Sequence, residues 1–293
     1  MKHKLTITII ILGMFLLTQF IGLYIAHDPH IPNYFNPQIN PETQQSPQNY
    51  FYQIISSFIF AFLIFVLITK YKLKLFMRIW FFLVVTAALF FSLSTILFDL
   101  FNTELYWIAL LIALALGTLK LFRPSIIIHN GTELLIYPGI AAIFVPLLSH
   151  IFILALLVLI SIYDMWAVWK SGIMQKMAKF QMTELKVFGG FLIPYLTREI
   201  RQKIANAKKS KSKKQFKVPI AILGGGDIFF PIFTSGIFYN AYGIGAAITV
   251  ILGAFVGLTY LMFNSKKKPY PAMPYITIGI FLALAIWFGI TLI

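Results

Sequence analysis

The sequence predicts an all-α integral membrane protein with nine transmembrane helices, and three observations carry that prediction. The 293 residues are 59% hydrophobic and only 11% charged, whereas a soluble domain carries about 25% charged residues. Apolar runs of roughly twenty residues recur along the chain, each long enough for a helix to cross a bilayer. All 24 Lys and Arg residues fall so that nine alternating spans put them on one face. There is no cysteine, which excludes a disulfide framework, a thiolate metal site and a catalytic thiol.

Met1-Lys2-His3-Lys4 precedes the first run, Leu5–Ile25. This is the charged start of a signal peptide, but no small-residue cleavage site follows, so it reads as an uncleaved first span. His27–Asn49 is polar and carries Pro29, Pro32, Pro37, Pro41 and Pro47, which predicts an irregular loop. Lys70, Lys72, Lys74 and Arg78 connect span two, Phe51–Thr69, to span three, Ile79–Phe98. Span four, Leu105–Leu121, leads through Lys120 and Arg123 into span five, Ile126–Pro146. His129-Asn130-Gly131-Thr132-Glu133 interrupts the fifth run. A helix start at Glu133 with Thr132 as N-cap is the alternative there. Span six is His150–Trp169.

The one long connection, Lys170–Lys217, holds thirteen basic residues. Met174, Met177, Ala178, Leu185 and Phe188 fall at helical spacing, which predicts a helix on the membrane surface. Gly189-Gly190 breaks it, and Phe191–Leu196 is an apolar run too short to span. Ala207–Lys217 reads as a flexible basic linker against anionic headgroups. Spans seven, eight and nine are Val218–Phe238, Ala241–Phe263 and Tyr270–Leu292, the last two separated by Lys266, Lys267 and Lys268. The chain thus divides into 1–169, spans one to six; 170–217, the basic loop; and 218–293, spans seven to nine.

The positive-inside rule makes the basic face cytoplasmic. The N-terminus is then inside and the C-terminus outside, in a multi-pass protein of the cell membrane. The same placement accounts for the net charge of +15 without nucleic acid, for which no recognition motif is present.

Two acids stand out against this background. Asp227 follows Gly224-Gly225-Gly226 inside span seven, and Asp164 follows Tyr163 near the end of span six. A charged side chain at membrane depth costs about 2.5–3.5 kcal/mol on insertion scales and marks a functional site. Three successive glycines are poor helix formers, and they leave room for another backbone beside Asp227. With the Lys and Arg residues assigned to loops, the acids must be protonated, bind a cation or share one proton. Sharing is how a carboxylate dyad divides the roles of acid and base. Asp164 lies roughly 9 Å of helix from the cytoplasmic end and Asp227 roughly 15 Å, so sequential antiparallel helices bring both to the cytoplasmic half.

Tyr163-Asp164 and Gly224-Gly225-Gly226-Asp227 resemble the YD and GxGD motifs of the presenilin and signal-peptide-peptidase family of intramembrane aspartyl proteases. Gly224–Pro231 looks most like the archaeal members. That family has nine spans and a Pro-Ala-Leu motif at the start of the ninth, where this chain reads Pro271-Ala272-Met273-Pro274. Leu and Met are close in volume, so the departure is mild. The resemblance implies a presenilin-like fold, Asp164 and Asp227 as the catalytic pair, and Gly224 and Gly226 as packing positions beside them. It implies a substrate-binding surface from Tyr163, Gly224, Gly225, Gly226, Pro271, Ala272 and Met273. It implies transmembrane segments of other proteins as substrates and no cofactor. An inside N-terminus resembles presenilin, which favours substrates whose N-termini lie outside.

Other readings of these residues stay open at the level of sequence. Tyr163 is also a core aromatic, the glycines a helix-packing surface, and Pro271 and Pro274 helix-start prolines. His129–Glu133 reads as an interfacial helix start or an ion site, and His150 as an interfacial residue. No HExxH or other metal spacing is present. The competing class is an ion- or proton-coupled transporter or channel, which also uses carboxylates on broken helices; a non-catalytic scaffold leaves the two acids unexplained. A protease must in addition unwind its substrate helix, and each bare backbone group in lipid costs several kcal/mol. A strand edge satisfies them, and Phe191–Leu196 and Tyr270–Tyr275 are the candidates.

Overall fold

The computed structural model describes residues 5–27, 47–71, 74–123, 125–171, 180–181, 188–195, 219–265 and 270–291. Nine α-helices are present among them, in the expected order: α1 (Leu5–His27), α2 (Pro47–Tyr71), α3 (Lys74–Phe101), α4 (Tyr106–Phe122), α5 (Ile126–Phe144), α6 (His150–Met165), α7 (Gly225–Tyr242), α8 (Ile244–Asn264) and α9 (Met273–Thr291). Six of the spans they form are long and apolar enough to cross a membrane by length and composition. The predicted outer loop, surface helix and basic linker lie mainly or wholly outside the described residues.

The bundle wears its apolar side chains on the outside. Trp107, Leu111, Ile127, Val256 and Ile286 are all exposed, as expected where lipid rather than water is the solvent. Association without a water-driven hydrophobic effect depends on close backbone packing, and glycines provide it. Gly253 and Gly257 on α8 meet Gly279, Ile280 and Ile276 on α9, where an added Cβ would lie 2.9 Å from the Cα of Ile280 at Gly253 and 3.1 Å from that of Ile276 at Gly257. Gly22 on α1 packs against Ile232 of α7, and Gly139 on α5 against the Ala88 carbonyl of α3. The largest buried cluster joins α1, α5, α6, α7, α8 and α9 around Phe15, Leu157, Ile228, Phe233 and Ile276.

The structure decides two helix starts. Helix α5 begins at Ile126, as the apolar run predicts, and the alternative start at Glu133 falls away: Ser125 is the N-cap and accepts the Ile128 N–H at 3.2 Å. Thr132 instead donates back to the Ile128 carbonyl at 2.9 Å, a bond that a mid-helix threonine makes without ending the helix. Span seven does not begin as a helix. Residues Ile220–Gly224 form a strand, β2, paired antiparallel with β1, Gly190–Pro194, in the register Gly190↔Gly224, Leu192↔Ile222 and Pro194↔Ile220. Residues 191–194 of the apolar run Phe191–Leu196 thus lie in a strand whose partner is this chain's own β2, and Leu196 lies outside the described residues.

Lys120 is a further departure. The charge count places it in a loop, yet it lies in α4 with 5% of its surface exposed, and its Nζ is 2.5 Å from Glu133 Oε1. An ammonium group is tolerated at such a position when it is paired and hydrogen-bonded.

Candidate active site

The chain reaches Asp227 through the hairpin. Gly224 ends β2 and is the N-cap of α7, with φ −67° and ψ 149°. The Gly225 N–H donates to the Gly189 carbonyl at 3.3 Å, so the first residue of the helix is still held by the residue before β1. Asp227 follows in the first turn of α7, where the unpaired amides of a helix start favour a carboxylate. The glycines have unequal roles. A Cβ at Gly225 would lie 2.6 Å from Tyr137 Oη and 2.9 Å from its ring, whereas one at Gly224 would lie 3.2 Å from Asp227 Oδ2 and one at Gly226 only 3.8 Å from Phe230. The tightest approach therefore falls on Gly225, between the two positions that the motif singles out.

Asp164 comes from the last turn of α6 and is buried, at 6% exposure. Its Oδ2 accepts the N–H of Met273 at 3.1 Å, one of the amides that the start of α9 leaves without a helical partner. One turn away, the Ser161 and Thr277 hydroxyls are 2.8 Å apart. Two polar contacts thus tie α6 to α9. Directly after Asp164 the helix widens into a π turn, Trp166–Ser171.

The two carboxylates flank the same short stretch at the start of α9: Asp164 is bonded to Met273, and Asp227 shares a cavity with Ala272 one residue earlier. Beside Asp227 is a cavity of about 100 Å³ whose lining includes Ile222, Leu223, Leu258, Tyr270 and Ala272. That is ample room for the water a hydrolysis consumes. Pro271, Ala272 and Met273 are buried here. The second strand candidate, Tyr270–Tyr275, is a short approach followed by the first turn of α9. Tyr163 lies elsewhere: it is 44% exposed, with its ring 6.2 Å from that of Trp166. Among the described residues no group of three His, Asp or Glu side chains is placed to hold a metal.

The strands differ in what lies along their outer edges. In an antiparallel pair alternate residues turn their N–H and C=O outward, and the contacts of Gly190 and Leu192 with α5 identify the outward set. On β1, Gly190 and Leu192 are both bonded to α5. On β2 the outward residues include Ile220 and Ile222, both exposed, with Ile222 on the wall of the Asp227 cavity. Sequence reasoning also missed Gln19 on α1, fully buried, whose Nε2 donates to the Ile228 carbonyl at 3.0 Å beside Asp227. A lone glutamine in an apolar run is its sequence signal.

A family model described as signal-peptide peptidase, presenilin aspartyl protease matches residues 12–290. Two solved structures have a similar fold, both of a presenilin family intramembrane aspartate protease, in space groups C222 and P2. The first is 17% identical with a TM-score of 0.59, the match covering 95% of this chain and 99% of that one. The second is 18% identical with a TM-score of 0.59, covering 96% of each. No curated protein matches the chain.

Proposed function

The chain belongs to the signal-peptide peptidase and presenilin family of aspartyl proteases and is an intramembrane protease; from that premise we propose that Asp164 and Asp227 are its catalytic pair. The observation that carries the assignment is their convergence from α6 and α7 beside the buried start of α9. The transporter reading has no support from the family or from the fold.

In the proposed cycle one aspartate is ionised and the other protonated, and a water lies between them. The ionised acid takes a proton from the water as its oxygen attacks the scissile carbonyl, while the other acid protonates the carbonyl oxygen. The resulting gem-diol collapses: the C–N bond breaks, the amine leaves with a proton from the first acid, and the second acid recovers its proton from a hydroxyl. The dyad is regenerated without a cofactor. Met273 N–H holds Asp164 in place, and Ala272 and Tyr270 wall the side from which substrate reaches Asp227. Gly224, Gly225 and Gly226 keep that approach narrow. Tyr163, at the outer surface of α6, contributes to the lipid-side approach of substrate.

Transmembrane segments are the substrates, and the open edge of β2 is where we place their unwound backbone. Ile220 and Ile222 offer the N–H and C=O groups that an extended segment needs, beside the cavity that holds Asp227. The same reading takes the chain as 1–169, 170–217 and 218–293, in a cell membrane, with the N-terminus cytoplasmic and the C-terminus outside, and substrates entering with their N-termini outside. The test is a purified single-span reporter in nanodiscs with mass analysis of the products. A cut inside the apolar segment is the expected result; intact reporter, or cuts only in its soluble flanks, contradicts the reading.

A further inference from the structure

The polar cluster on α4 and α5 takes no part in that chemistry, yet Lys120, Thr132 and Glu133 are buried, His129 and Asn130 are half-buried, and each has a hydrogen-bond partner. Lys120 donates to Thr132 Oγ1 at 3.1 Å and to Glu133 Oε1 at 2.5 Å, and its Nζ is 3.4 Å from His129 Nδ1. His129 Nε2 is 2.8 Å from the Gly190 carbonyl. A carbonyl only accepts, so Nε2 carries the proton and Nδ1 is the bare nitrogen facing the ammonium, a tautomer assigned from its partners. Glu133 Oε2 accepts the Gly190 N–H at 3.1 Å. One residue on from His129, Asn130 Oδ1 accepts the Leu192 N–H at 3.0 Å and its Nδ2 donates to the Leu192 carbonyl at 2.9 Å.

These four bonds reproduce what a third strand would make. Gly190 and Leu192 are the successive outward residues of β1, and both groups of each are taken. The next outward residue, Pro194, has no N–H to offer. An edge strand is an open template for pairing, and here a helix closes it with side chains. We propose that α5 is a surrogate strand, with Asn130, His129 and Glu133 (braced by Lys120) as positioning residues that hold the hairpin ready and leave β2 as its single open edge. This rests on the reading that substrate pairs with β2 and that Asp227 is catalytic.

A two-stranded hairpin is marginal by itself. Released from α5 it is formed only part of the time, and the apparent affinity for substrate falls by that fraction. Bound substrate re-forms the sheet, so turnover at saturation survives. General destabilisation has the opposite signature, a smaller active fraction with unchanged KM.

The experiment compares wild type with Asn130→Leu and Asn130→Asp, both retaining Asp164 and Asp227, in nanodiscs. Hydrogen exchange over residues 188–195 reads the clamp directly, and reporter kinetics read its consequence. Asn130→Leu should exchange faster in β1 and raise KM by about tenfold while kcat stays within about threefold. Asn130→Asp keeps the acceptor for the Leu192 N–H and should fall between, which also serves if the leucine variant does not fold. Unchanged exchange, or a lower kcat at constant KM, overturns the proposal. Failure of the dyad is separable: it appears as cleavage by an Asp227 variant, and the exchange arm needs no cleavage at all.

Discussion

At the scale of single residues, the tightest constraint among the three glycines before Asp227 is on Gly225, whose missing side chain leaves room for the Tyr137 hydroxyl. Gly225→Ala forces that contact, and overpacking of this kind costs about 1–3 kcal/mol. Loss of reporter cleavage and a lower Tm are expected, with Tyr137→Phe in the same chain restoring part of both because it removes the nearest atom. If Gly225→Ala matches wild type in both measurements, the packing account of this turn is wrong. Gly224→Ala and Gly226→Ala meet less, and should be milder in that order. The sequence pattern singles out three adjacent glycines but does not rank them, because the ranking is made by Tyr137, 88 positions away along the chain.

At the scale of elements, the hairpin is the part that local sequence hides. Ile220–Gly224 is apolar, and a short apolar run of this kind reads equally as strand or as the first turn of a membrane helix. Its state is decided by pairing with residues 190–194, across a long basic connection. The α5 polar stretch was visible as an interruption of an apolar run, yet its purpose was not, since the groups it satisfies belong to β1. The acids themselves were legible, because an ionisable side chain in an apolar run stands out wherever the chain folds. The open edge of β2 gives an element-scale prediction. The Ile222 N–H points away from β1, so Ile222→Pro removes a substrate-facing donor and spares the β1–β2 ladder. Cleavage of a single-span reporter should fall by about tenfold or more, the effect of roughly 1.4 kcal/mol, with hydrogen exchange of β1 unchanged. Full activity in that variant would remove β2 as the docking edge.

At the scale of the whole molecule, the nine helices and their order are readable from the apolar runs along the chain. Lys120 shows the limit of counting charges: its pairing partner lies on the next helix, so only packing reveals that it belongs to a span. The orientation we propose then rests on the remaining basic residues. Tags at Met1 and Ile293 should be accessible from opposite faces of the membrane, the first from the cytoplasm; both on one face would mean an even number of spans.

The measurement closest to the central claim is turnover by Asp164→Asn and Asp227→Asn, each folded and reconstituted with the single-span reporter. Asparagine keeps the size and most of the hydrogen bonding of each carboxylate while removing its ability to accept and return a proton, and a dyad that works as one unit loses as much from one substitution as from two. Each single variant and the double variant should show no cleavage above the uncatalysed background; turnover in either single variant within tenfold of wild type would contradict the assignment of these two acids as the catalytic pair.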